Sequence, residues 1–338
     1  MSPSATLSNG ATNGSTNDYA PTAVSLSSIL KPGIYVPTIA FFTPQDTIDA
    51  TTTQTHAIRL ARSGVAGLVT HGSNGEAVHL DHTERVLITR LTRDALDGAG
   101  YSHLPLIVGC GAQSTRETIQ LCQEAAAAGG TYVLVLPPAY YGGLLTTGHI
   151  LEHFREVADK SPVPVLIYNY PGACSGLDLS SDSIVKLAEH PNICGVKLTC
   201  GNTGKLARVV AGTAEKKKGD GRFLTFGGSV DFVLQTLAVG GHGTIGGLAN
   251  IAPRACVELM RQWQLGKYEQ ARKLQQVVAA GDWTAIQGGF ISVKVGLQKY
   301  YGYGGEPRRP CRMPEGEARA AQEEGFAELV KAERALEK

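Results

Sequence analysis

The sequence predicts a closed (β/α)₈ barrel with a C-terminal helical extension. Three observations lead there. From Gly33 onward short apolar runs alternate with longer segments of helical period, and the runs number eight. The eight units fill about 230 residues, the size of a closed barrel, whereas a doubly wound sheet more often stops at five to seven strands.

In order, the runs cover residues 34–42, 67–70, 104–109, 132–136, 163–168, 193–199, 223–226 and 243–245. Near-continuous apolar runs of this kind suit parallel strands buried on both faces. Between them, Asp81-His82-Thr83-Glu84 and Ser114-Thr115-Arg116-Glu117 have the spacing of a capping box, and the segment 180–189 opens on a serine pair. Past Pro253 the pattern is entirely helical, over 254–265, 268–280, 283–300 and 315–337, and one of these segments is the eighth barrel helix. The division expected is a tail over residues 1–30, a barrel over 31–265 and a helical extension over 266–338. No Pro/Gly/Ser linker precedes the extension, so it should pack on the barrel. Gly302-Tyr303-Gly304-Gly305, with Pro307 beyond, separates its last two helices.

The first thirty residues are rich in Ser, Thr, Asn and Ala, hold one charge at Asp18 and are expected to be disordered. No basic residue precedes Lys31, and the chain ends Leu336-Glu337-Lys338, so neither presequence nor peroxisomal patterns fit and a cytoplasmic location is expected. No apolar stretch is long enough to span a membrane. A net charge of +1 with scattered Lys and Arg argues against nucleic acid or an acidic membrane surface as partner. Seven cysteines, an odd count without a Cys-x-x-Cys pair, suit reduced and buried thiols. Without His-x-His, His-Glu-x-x-His or clustered carboxylates, neither a metal nor another cofactor is expected. Gly241-His242-Gly243-Thr244-Ile245-Gly246 satisfies G-x-G-x-x-G but lies within the eighth run, not between a first strand and its helix.

Catalytic groups of such a barrel come from the C-terminal ends of its strands. The sixth run, Ile193-Cys194-Gly195-Val196-Lys197-Leu198-Thr199-Cys200, has a lysine in the middle of an apolar strand. A buried ammonium is costly, and an amine without its proton is a nucleophile toward ketones. The alternative is a lysine paired with a carboxylate in the barrel mouth, although none lies within the run. The second run leads into His71-Gly72-Ser73-Asn74-Gly75-Glu76, a turn whose N–H groups and short polar side chains suit a carboxylate or phosphate, or which is an ordinary polar loop. Glu76 could be a catalytic acid, or could bind backbone N–H groups or cap a helix. Tyr140 and Tyr141 follow the fourth run, either over the barrel mouth or as an interface anchor. Tyr168 ends the fifth, as a proton relay or as a wall tyrosine with a satisfied hydroxyl.

At these four sites the chain resembles the class I pyruvate-type aldolase family that includes dihydrodipicolinate synthase and N-acetylneuraminate lyase, over roughly residues 33–250. The resemblance implies a Schiff base between Lys197 and a 2-keto acid, proton relay by Tyr168, and a substrate carboxylate held at Ser73 and Asn74. Tyr140, counted with Lys197 and Tyr168 among the catalytic positions, resembles a tyrosine that such proteins offer near a subunit contact, and a homotetramer is implied. Gly228 and Ile245 to Gly247 match positions near the pocket floor, with Thr199 beside them as a further substrate-binding position. After Tyr168-Asn169-Tyr170-Pro171-Gly172 the chain continues Ala173-Cys174-Ser175, without the arginine that clamps a second carboxylate in dihydrodipicolinate synthases. The Gly-Ser-Asn-Gly-Glu turn and Ser175-Gly176-Leu177-Asp178-Leu179 look closer to 4-hydroxy-2-oxoglutarate aldolases, and closer still to fungal 2-keto-3-deoxy-L-galactonate aldolases. The activity implied is cleavage of that sugar acid to pyruvate and L-glyceraldehyde in galacturonate breakdown. Hydroxy-oxoglutarate cleavage, a dihydrodipicolinate-type condensation and a non-catalytic 2-keto acid sensor are the alternatives.

Overall fold

The computed structural model describes residues 29–218 and 221–337. The expected disordered tail falls, over residues 1–28, outside the described residues. Eight parallel strands close into a barrel ringed by helices. In chain order these begin β1 (Gly33–Pro37), α1 (Ala50–Arg62), β2 (Gly67–Thr70), α2 (His82–Gly98), β3 (Leu106–Gly109) and α3 (Thr115–Ala127). They continue with β4 (Tyr132–Val135), α4 (Thr147–Lys160), β5 (Val165–Asn169), α5 (Ser181–Leu187), β6 (Ile193–Leu198) and α6 (Thr203–Thr213). A two-stranded hairpin, β7 (Lys217–Lys218) with β8 (Gly221–Arg222), precedes β9 (Leu224–Gly227), α7 (Val233–Ala238), β10 (Gly243–Ile245) and α8 (Pro253–Gln264). β10 pairs with both β9 and β1 and closes the barrel.

Alternation along the strands builds two cores. Tyr35, Val69, Ile107, Leu134, Leu166 and Phe226 fill the barrel, whereas Val36, Leu68, Val108, Val133 and Ile167 face the helices. The end opposite the strand C-termini is closed by the chain leading into β1. Tyr35 hydroxyl donates to Lys31 O at 2.8 Å, and Tyr132 hydroxyl accepts from Leu30 N at 2.9 Å. Helix starts follow local chemistry. Asp81 and Glu84 form the reciprocal capping box, Ser114 accepts from Glu117 N at 3.2 Å, and Ser180 accepts from Ser183 N at 3.1 Å.

The extension differs from the sequence reading in two places. The segments 268–280 and 283–300 form one helix, α9 (Tyr268–Tyr301), whose interruption lies at Gly289 with φ 61° instead of at Gly281. Gly281 stays helical and packs on Leu329, where a Cβ would come within 2.7 Å of Cδ2, so the glycine there serves packing and not a break. The last segment is two helices, α10 (Gly316–Gly325) and α11 (Ala327–Ala335), that meet at buried Phe326. Glu333 of α11 caps α8 from a distance by accepting from Arg254 N at 3.1 Å and Ala255 N at 2.7 Å. All seven cysteines are unbridged, and five are buried. Among the described residues no helix is long and apolar enough to cross a membrane.

Glu333→Ala removes the acceptors of two N–H groups in the first turn of α8 and should lower the unfolding free energy by about 2 kcal/mol in urea titrations.

Candidate functional site

The site lies at the C-terminal ends of the strands and begins with an irregularity in β6. Val165 of β5 pairs with Ile193, but Leu166 pairs with Gly195, so Cys194 is an extra residue. Ile193 faces the helices and Cys194 the barrel interior, and Val196 and Leu198 again face the helices. The bulge inverts the alternation and turns Lys197 inward. Gly195 is required there, because a Cβ would come within 2.6 Å of Leu224 O.

Beyond the bulge Tyr168 and Lys197 are direct neighbours on adjacent strands. Lys197 Nζ donates to Tyr168 hydroxyl at 3.2 Å and lies 4.3 Å from the centre of its ring. Each residue is only 3% exposed, and among the described residues Lys197 makes no ion pair. Ser73 Oγ reaches the same phenol oxygen at 3.4 Å, which brings the turn after β2 to the lysine. Thr199 Oγ1 is buried without a hydrogen-bond partner among the described residues, leaving a hydroxyl two positions beyond Lys197.

Two glycines expected at the pocket floor are close approaches. A Cβ on Gly228 would lie 2.0 Å from Thr199 Oγ1 and 2.5 Å from its Cα, and one on Gly247 would lie 2.8 Å from Asn74 Nδ2. Ile245 is fully buried in the interior core. Ser73, Asn74, Tyr168, Lys197, Thr199, Gly228, Ile245 and Gly247 thus belong to one region. Tyr140 does not join them within the single chain: it is 78% exposed and stacks edge-on against Tyr141 with ring centres 5.0 Å apart. Glu76 is not a rim acid either, since its buried side chain contacts Lys294 Nζ at 2.7 Å.

Residues to which the sequence reading gives no role hold the site's loops. Asn169 accepts from Leu179 N at 3.0 Å and donates to Asp178 at 2.8 Å, and Asp178 in turn binds Lys205. Asn250 donates to Pro37 O and Gly247 O, each at 2.8 Å, and meets His56 Nε2 at 2.9 Å. Burial, then Arg59, pushes His56 down to about 3, and burial, then Arg85, does the same to His71, so both are neutral. Asp282 on α9 accepts from Ser229 Oγ, from Val230 N at 2.8 Å and from Asp231 N at 3.0 Å. Asn169, Asp178 and His71 sit inside stretches already singled out but with no sign there of these contacts, and Asn250, His56 and Asp282 lie outside any motif. Among the described residues no three His, Cys, Asp or Glu side chains cluster as metal ligands.

Burial raises the Asp282 carboxyl from 3.8 to about 6. A raised carboxyl pKa means that the fold prefers the proton. The stability Asp282 contributes is therefore full below its unfolded value and is lost, by about 3 kcal/mol, as pH rises through its folded value. Asp282→Asn, which still accepts from the two N–H groups, should flatten the pH dependence of unfolding between about pH 4 and 6.

Comparisons with known proteins bear on the fold and the family. Residues 31–333 match the dihydrodipicolinate synthetase family. A protein of Emericella nidulans named "Probable 4-hydroxy-2-oxoglutarate aldolase, mitochondrial" is 59% identical, covering 91% of this chain and 98% of its own. The "L-threo-3-deoxy-hexylosonate aldolase" of Hypocrea jecorina is 47% identical, covering 90% and 98%. A solved dihydrodipicolinate synthase family protein from Coccidioides immitis superposes with a TM-score of 0.81 at 35% identity, over 90% of this chain and 98% of that one. The chain therefore belongs to the dihydrodipicolinate synthetase family and is an aldolase of that family, a carbon–carbon lyase.

Proposed function

We propose that the chain is a class I aldolase that cleaves 2-keto-3-deoxy-L-galactonate (L-threo-3-deoxy-hexulosonate) to pyruvate and L-glyceraldehyde through an imine on Lys197, without metal or other cofactor. The observation that carries this reading is the inward-facing lysine, 3.2 Å from the Tyr168 hydroxyl and free of any carboxylate partner among the described residues.

In its neutral form the amine attacks C2 of the keto acid. Loss of water leaves a protonated imine, which draws electrons as the C3–C4 bond breaks. Tyr168 relays the proton lost by the C4 hydroxyl, and the aldehyde departs. Protonation of the enamine at C3, followed by attack of water at C2, releases pyruvate and restores Lys197. Ser73, Asn74 and nearby N–H groups hold the C1 carboxylate, while the Thr199 hydroxyl is available to the substrate.

The substrate's tail decides between two readings. Lys205 is engaged by Asp178, and Arg308 by Asp46 and Glu84, so these rim cations already have carboxylate partners. This favours a tail of neutral hydroxyls, as does the name of the Hypocrea jecorina relative. The name of the Emericella nidulans relative favours hydroxy-oxoglutarate, the second reading. The protein is further proposed to act as a homotetramer, with Tyr140 near a subunit contact.

Borohydride added with pyruvate should leave the reduced adduct on Lys197 in peptide mass spectra. An unmodified Lys197, or full activity in Lys197→Ala, sinks the imine mechanism. A substrate panel should give faster cleavage of the deoxy sugar acid than of 4-hydroxy-2-oxoglutarate, and the reverse order would establish the second reading. Gly228→Ala, which drives a methyl into Thr199, should lower kcat/KM about 100-fold while circular dichroism stays native.

A further inference from the structure

The Ser73–Gly75 turn is exposed at Ser73, half-buried at Asn74 and buried at Gly75, so the direction of its donors depends on what holds the residues that flank it. The residue that follows is anchored from behind. Glu76 takes a left-handed conformation, φ 49° and ψ 38°, which a residue with a Cβ holds only where its surroundings impose it. Its side chain meets α9 and the segment beyond it. Oε1 lies 2.7 Å from Lys294 Nζ on α9, and both side chains are fully buried. Oε2 accepts from Arg308 N at 2.9 Å and contacts His79 Nδ1 at 3.1 Å. Lys294 also donates to Glu306 O at 2.8 Å, and the Arg308 guanidinium pairs with Glu84 and Asp46. The segment after α9 is thereby strapped across the back of the turn.

A buried ion pair is a weak source of stability, because desolvation offsets most of its attraction; what it supplies is a fixed position, since moving either partner leaves a buried charge alone. Glu76 N is bonded to Ser73 O at 3.3 Å and Gly75 N to Gly72 O at 3.0 Å, so a displacement of Glu76 passes directly into the turn. The turn has little slack on its other side, where Asn74 abuts Gly247. We infer that Glu76 and Lys294 are positioning residues: their buried ion pair aims the Ser73–Asn74 turn at the substrate's C1 carboxylate, and the C-terminal extension is thereby part of the substrate site. This rests on the imine reading above and adds to it a role for two residues that touch no substrate.

The test uses the full chain with Glu76→Gln, Lys294→Met and the double variant, which leaves no lone buried charge. Thermal unfolding reports the fold, steady-state kinetics separate KM from kcat, and borohydride trapping at Lys197 compares pyruvate with methyl pyruvate, whose ester lacks the carboxylate charge. In the folded double variant KM should rise about tenfold or more while kcat changes by less than about threefold. Trapping of dilute pyruvate should fall in the same proportion, and that of methyl pyruvate should stay at the wild-type rate. A wild-type KM in the folded double variant, or equal losses on acid and ester, would overturn the inference. If the double variant does not fold, Lys294→Arg keeps the charge and changes its reach, and the same acid-against-ester comparison decides. Should the wild type form no adduct with either compound, the imine reading itself falls and this inference falls with it.

Discussion

One extra residue in one strand governs the chemistry available to this barrel. In a regular β6, Lys197 would share the face of Ile193 and enter the apolar layer between sheet and helices, where no partner for its charge is found. The insertion at Cys194 reverses the alternation, so the amine enters the barrel beside the Tyr168 hydroxyl instead. Gly195 makes the bulge possible by letting the backbone approach Leu224 O. The contact between Lys197 and Tyr168 therefore depends on a backbone register shared by β5 and β6, which the hydrogen bonds of the parallel sheet hold.

The loops around the pair are fixed from the C-terminal side of the chain. Asp282 of α9 gathers the N–H groups that follow β9. Lys294, also of α9, holds the residue after the Ser73–Gly75 turn. Tyr301 donates to Ile251 O at 2.6 Å, and Tyr303 hydroxyl meets His56, which meets Asn250 in the turn after β10. Three strand ends are thus tied to α9 and the segment beyond it. Each tie engages at least one buried polar group whose alternative is an unsatisfied donor, acceptor or charge, so each specifies a position more than it adds stability. This explains why the extension packs on the barrel with no flexible joint between them.

The eight strands were legible because a strand buried on both faces must be apolar along its length, and eight such runs alternate with segments of helical period. Lys197 was legible as an exception to it. The bulge was not, since Cys194 and Gly195 fit a regular apolar strand equally well and only pairing with β5 reveals the offset. Helix ends with local caps, at Asp81, Ser114 and Ser180, could be read, whereas the cap that Glu333 places on α8 joins residues about eighty positions apart. The partner of Glu76 was hidden for the same reason. Lys294 is one lysine in a long helix, and only the fold shows it fully buried against a carboxylate. Tyr140 shows the opposite limit, because an exposed aromatic beside the mouth gains a role only from what covers it.

The proposed preference for a hydroxylated tail follows from how the loop after β5 balances its charges. Asn169, fully buried, holds the loop through Leu179 N and through Asp178, and Asp178 already occupies the Lys205 ammonium. A second substrate carboxylate entering there would have to displace Asp178 from Lys205, exchanging one ion pair for another, or remain without a cation and lose its hydration uncompensated. Neutral hydroxyls face neither cost. They need donors and acceptors, and Tyr170, half-buried and stacked on Tyr168 with ring centres 5.8 Å apart, carries both on one oxygen. On the proposed reading, the absence of an arginine from Gly172-Ala173-Cys174 has a physical sense beyond a missing clamp: Lys205 of α6, which meets this loop at Asp178, is committed to the loop's own architecture, so a guest whose far end brings no charge fits it best.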